Sequence, residues 1–161
     1  MHLIFLFFIG NDMCAQTSEE IALEFLQSHY FLTMATSSKK GIPNATPHEY
    51  GFHGTTVFLE ISKEHVSVVN IRENPVVHFE IHDIFTPETA QNAKVLQILA
   101  EAVIHYPDSL EFDGYWEKLV QQFPYMRMFP KETRVILVFH LKEGMLLEFS
   151  KTSLQRTLLN F

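Results

Sequence analysis

Hydrophobic positions along this chain change period several times, and each change marks an element. Ile21, Ala22, Phe25, Leu26 and His29 recur at helical spacing, behind a Thr17-Ser18-Glu19-Glu20 capping box with Thr17 as N-cap. "YFLTMATS" (residues 30–37) then alternates as a strand, and Gly41 supplies the positive φ of a tight turn into "IPNATPHEYGF". Pro43 and Pro47 require that second strand to lie at an edge, carry a bulge or face a ligand. His53-Gly54 turns into a third strand, "TTVFLEIS", and "VVHFEIHD" (Val76 to Asp83) is a fourth. Between them "KEHVSVVNIREN" reads as a short helix stopped by Asn74-Pro75. A long fifth strand covers Ala93 to His105, and Asp108 with Glu111 caps a helix that runs through Trp116, Leu119 and Val120 to Phe123. After the proline-broken link "FPYMRMFPKE", the segments "TRVILVFHL" and "GMLLEFS" predict a last hairpin around Lys142-Glu143-Gly144. Strands dominate, so the pattern predicts a mostly β fold, a small closed or split β-barrel of six to seven strands with two or three peripheral helices.

Bulk composition narrows the class. The 161 residues suffice for one domain, and 47% hydrophobic with 19% charged content is globular. Fifteen phenylalanines fit a thick β-rich core. A formal charge of −7 argues against nucleic acid as a partner but allows a small anion at a local site. The single cysteine, Cys14, excludes an internal disulfide and fits a reducing compartment. "LIFLFFIG" (residues 3–10) is too short to span a bilayer and lacks both a preceding basic residue and a small-residue cleavage site. The expectation is a mis-called start with Met13 as the true beginning, residues 1–16 flexible, residues 17–161 a single domain, and a cytoplasmic protein without a membrane partner.

Three constellations carry candidate chemistry. At the junction of the third strand and the short helix, Ser62, Lys63, His65 and Ser67 surround free N–H groups at the positive end of a helix dipole, an arrangement suited to an anion. The plainer reading is that Ser62 is only an N-cap and Lys63 a solvated lysine. In "NATPHEY", Asn44, Thr46, His48 and Tyr50 share one strand face and offer a row of donors and acceptors to a planar ligand, or simply a wet face. In "HFEIH", His78, Glu80 and His82 share a face, but no further ligand falls at metal-site spacing, so no metal is assigned.

The order of these features, with "NIRENP" followed by "VVHFEI", then "VLQILAEAVI", "YWEKLVQQFPYM" and the closing "TRVILVFHLKEGMLLEFSK", resembles the pyridoxamine 5′-phosphate oxidase-like FMN-binding split barrels from about Glu19 to Lys151. The resemblance implies a homodimer with flavin mononucleotide (FMN) at the subunit interface. On this chain it implies phosphate contacts from Ser62, Lys63 and Ser67. Asn44, Thr46, His48, Glu60 and Ile61 would approach the flavin ring, with Gln97 on the fifth strand a further candidate. Three departures qualify it. Ser67 stands where such proteins carry a lysine, which removes a charge-assisted bond typically worth about 1.5–3 kcal/mol. Ala100 replaces a usual glycine, and the C-terminal Arg-x-x-Asp-Arg signature of true pyridoxamine phosphate oxidases is absent, "SLQRTLLNF" offering only Arg156.

The implied function is an FMN-dependent oxidoreductase acting on a small-molecule substrate other than a B6 vitamer, with His48 as the candidate proton donor because an imidazole titrates near neutrality. Two alternatives stay open: a haem-binding or haem-handling protein using His48, His65 or His82, and a non-catalytic flavin-binding protein.

Overall fold

The segment that two prolines interrupt is the one that closes the barrel. The computed structural model describes residues 16–161, so the expectations for residues 1–15, including the start at Met13 and the thiol of Cys14, lie outside the described residues. Helix α1 (Ser18–Ser28) precedes β1 (Phe31–Ser37), β2 (Pro43–Glu49), β3 (Gly51–His53) and β4 (Thr56–Ser62). Then follow α2 (Val66–Glu73), β5 (Val76–His82), β6 (Lys94–His105), α3 (Leu110–Gln122), β7 (Arg134–Phe149) and β8 (Leu154–Asn160).

The strands pair antiparallel in the order β2-β1-β5-β6-β7-β4-β3, with β8 added to β7. The first and last strands of this path, β2 and β3, are separated in sequence only by Tyr50. Tyr50 turns the corner: its ring is fully buried, its N–H donates to the Tyr30 carbonyl at 3.0 Å and its hydroxyl to the Leu26 carbonyl at 2.7 Å. Gly51 follows because a Cβ there would stand 2.6 Å from the Phe58 ring. The result is a split β-barrel.

Alternation decides the faces. In β5, Val77, Phe79 and Ile81 point inward, while His78 and His82 are exposed and Glu80 is half-buried. Strand β4 is buried on both sides: Val57, Leu59 and Ile61 enter the barrel core, and Phe58 packs with Phe112, Trp116 and Leu119 of α3. Fully burying a side chain such as Phe58 contributes roughly 1.5–3 kcal/mol, so α3 is fixed to the outside of β4 and β7 by its apolar stripe.

Three local expectations are corrected. The hairpin expected at Lys142-Glu143-Gly144 does not form; β7 runs unbroken for 16 residues, and Lys142 is the extra residue where the β6 register shifts between Leu99 and Ala100. Gly144 serves close approach rather than a turn, since a Cβ there would lie 2.9 Å from the Gln97 carbonyl oxygen. The last hairpin instead joins β7 to β8 through residues 150–153. The α3 cap is Ser109, whose hydroxyl accepts from the Phe112 N–H at 3.2 Å, not Asp108. The cap of α2 is His65, not Ser62, so that helix begins nearly a turn later than expected.

Candidate functional site

A cavity of about 420 Å³ opens where the end of β2, the end of β4 and the start of α2 meet the 3-10 turn at Pro124–Met128. Its wall is built from β2 upward. The alternation of that strand leaves Asn44, Thr46 and His48 half-buried and Pro43, Ala45 and Pro47 exposed. The prolines fall on the outer face of an edge strand, where the missing N–H removes nothing from the ladder to β1.

The inward row is linked by hydrogen bonds. The Asn44 Nδ2 donates to Ser67 Oγ at 3.0 Å, and the Ser67 N–H donates to His65 Nδ1 at 3.1 Å. The His65 ring meets the His48 ring edge-on with centroids 5.7 Å apart, and His48 Nε2 lies 2.7 Å from Thr46 Oγ1. Burial, and then the neighbouring His65, push the His48 pKa down to about 4, so His48 is a neutral imidazole at physiological pH. As cap, His65 accepts at Nδ1, so its neutral ring carries the proton on Nε2 and cannot coordinate iron there while holding the helix.

Phosphate would find less at this junction than the residue types suggest. Of the five N–H groups from Lys63 to Ser67, four already donate: Lys63 to the Thr133 carbonyl, Glu64 to Ser62 Oγ, His65 to the Ser62 carbonyl and Ser67 to its cap. Ser67 is fully buried, and Lys63 Nζ sits 3.4 Å from the exposed Glu132 carbonyl. For an anion the junction thus offers one loosely held cation, Lys63.

The floor carries charge. Glu60 is nearly buried on β4 and is gripped by Arg134 of β7, whose Nη2 donates to Oε1 at 2.8 Å and whose Nε donates to Oε2. The guanidinium also lies 4.6 Å from the centroid of the Phe129 ring. Ile61 is buried with its side chain in the barrel core, and Ser62 lies at the rim. Glu49 completes the lining, its pKa raised by burial and by the charge of Glu60.

Of the sequence candidates, Asn44, Thr46, Lys63 and Ser67 lie beside the cavity without lining it, and Gln97 and His82 stand elsewhere. Gln97 donates to Glu80 Oε2 at 2.9 Å on the outward face of β6 and lines a separate groove with His78 and Gly144. His82 is exposed at the end of β5, with Nδ1 2.7 Å from the Asp83 carbonyl. Among the described residues no group of three or more side chains is placed to hold a metal ion. Arg134, Phe129, Tyr125 and Glu49 were missed; Arg134 and Glu60 are too far apart in sequence for spacing to connect them. No helix among the described residues is long and apolar enough to cross a membrane.

Among solved structures, a haem-binding protein from Mycobacterium smegmatis superposes with a TM-score of 0.73 at 15% identity, over 88% of this chain and 58% of its own. This chain therefore spans little more than half of that protein. A Listeria innocua protein provisionally named a pyridoxamine 5′-phosphate oxidase gives a TM-score of 0.64 at 18% identity, over 90% of this chain and 100% of the other. An FAD-binding protein from Mesorhizobium loti gives 0.64 at 15% identity, over 81% and 94%. At these identities the likeness establishes the fold. No curated protein matches the sequence. The family model for pyridoxamine 5′-phosphate oxidase, however, matches residues 18–146, from the first residue of α1 into the second half of β7. With four-fifths of its length so matched and the split barrel in place, this chain belongs to the pyridoxamine 5′-phosphate oxidase family.

Proposed function

We propose that this protein binds FMN reversibly and acts as a flavin-dependent oxidoreductase on a small molecule, as a homodimer. The observation that carries the reading is the half-buried row Asn44–Thr46–His48, whose last member, His48, lines a cavity beside the ends of β4 and α2. Bound there, FMN would supply the electron transfer. The chain's residues would orient it: Asn44 and Thr46 offer polar atoms to the ring edge, Ser62 and Lys63 face the phosphate side, and Ile61 would border the ring through its backbone, its side chain lying in the barrel core. Ser67 remains in the set through its hydroxyl, although its side chain already accepts from Asn44. His48 lines the wall as a neutral imidazole; its low pKa leaves it no proton to donate near neutrality and makes it a weak base, so it would serve as a hydrogen-bond partner of the bound group.

With a serine where a lysine would add charge, and most junction N–H groups already satisfied, the cofactor is exchangeable rather than retained. A second copy of the chain would bring Gln97 to the site. Leu99 and Val103 on the same outward face of β6, and Leu158 on β8, leave apolar surface for such a contact. A spectrum of freshly purified protein before and after dialysis against FMN tests the reading. A flavin band that appears on loading supports it; protein that stays colourless counts against it.

The haem reading rests on one observation, a neutral His48 imidazole at the edge of a cavity with aromatic walls. It uses His48 alone, because His65 is committed as a cap and His82 lies outside the cavity. A Soret band after incubation with haemin, lost in His48→Ala, would support it.

A further inference from the structure

Within the cavity the guanidinium of Arg134 is matched by Glu60, and the carboxylate of Glu49 is not matched. Arg134 gives two of its five donors to Glu60 and its face to Phe129, so this pair's opposite charges are matched to each other. His48 is neutral. Glu49, at the last position of β2, has no hydrogen-bond or ion-pair partner among the described residues, yet lines the same cavity. Directly across the β1–β2 ladder from it is Phe31, which is 61% exposed, and Tyr125 on the facing turn is 41% exposed. Opposed residues on a ladder have Cβ atoms roughly 4.5–5.5 Å apart, so ring and carboxylate meet the same small guest.

We propose that the substrate accepted here is a small organic cation without an anionic group, an amine or quaternary ammonium, held by the Glu49 carboxylate and the open faces of Phe31 and Tyr125. The proposal rests on reading this cavity as the substrate site of the cofactor-binding protein described above. Aromatic faces attract a cation through their quadrupole, and a carboxylate at their margin supplies the opposite charge. The wall already shows this preference in the guanidinium stacked on Phe129. A phosphorylated substrate would meet that carboxylate, and the guanidinium in the lining is already paired with Glu60.

Titration calorimetry with four probes of one size tests this: benzylamine, benzyltrimethylammonium, benzyl alcohol and phenyl phosphate, each with and without added FMN. The two cations bind at least tenfold more tightly than the alcohol, and the phosphate binds least. Glu49→Gln loses the tenfold preference, and Glu49→Lys turns it toward phenyl phosphate. Equal binding of alcohol and amine, or a preference that survives in Glu49→Gln, overturns the proposal. Cation preference in protein that takes up no FMN supports this assignment while rejecting the cofactor reading; FMN uptake without cation preference does the reverse.

Discussion

Glu60 and Arg134 lie on adjacent strands, two positions out of direct register, and form a two-pronged ion pair at the floor of the cavity. Ser62 is the direct ladder partner of Arg134, so the guanidinium reaches diagonally along the sheet to a carboxylate that is itself nearly buried. This pair ties the end of β4 to the start of β7, where the candidate site is built.

Removing one partner leaves the other charge buried and unpaired. Arg134→Ala is therefore expected to destabilise the fold by about 3–5 kcal/mol. The double variant Glu60→Leu with Arg134→Met should recover most of that loss, because apolar replacement of both partners removes the desolvation cost. Urea unfolding of the three proteins checks this; a loss in Arg134→Ala of under about 1 kcal/mol, the scale of an exposed pair, would mean that the pair is effectively solvated.

His48 makes stability depend on pH. Its folded pKa of about 4 lies below the ordinary histidine value of 6.5, so the unfolded chain takes up the proton first as pH falls. The stabilising contribution is complete above about pH 6.5 and is lost as pH drops toward 4. His48→Gln should flatten that segment of a stability–pH curve measured by urea midpoint. An NMR titration of the His48 ring with a midpoint near 6.5 would contradict the burial argument.

The α2 cap is an imidazole, and its removal should cost what other caps cost. His65→Ala is expected to lose about 0.5–2 kcal/mol, and His65→Asn to recover most of it, since asparagine caps well. If His65 served a bound ligand alone, unfolding of the free protein would not respond to either change.

Lys63 is the cation nearest the α2 junction, its ammonium resting on an exposed carbonyl. Lys63→Ala should weaken FMN binding about tenfold or more, the equivalent of one lost charge-assisted hydrogen bond. Unchanged affinity would remove Lys63 from the site.

Much of this architecture is legible in the chain. The alternation in "VVHFEIHD" and the Asn74-Pro75 stop are local signals, and β5 and α2 follow them closely. Thr17 caps α1 through the reciprocal bonds that its capping box anticipates. What failed were signals with two physical meanings. Gly144 is as suitable for a turn as for close backbone contact, and only the neighbouring β6 decides between them. Ser62 is a better capper by propensity than His65, but the turn at residues 62–65 delays the helix until the imidazole is in place. The site's row on β2 could be read because a strand's faces alternate with period two. Its floor could not, because the Glu60–Arg134 pair exists only once β4 and β7 are adjacent. The outward position of Gln97 likewise follows from the strand's parity, but nothing local says what that face meets.

Calorimetric titration of the dialysed protein with FMN tests the central claim most directly. The account predicts saturable uptake of one FMN per protomer, with micromolar rather than subnanomolar affinity, and weakened by Lys63→Ala. No uptake of FMN alongside stoichiometric uptake of haemin would contradict it.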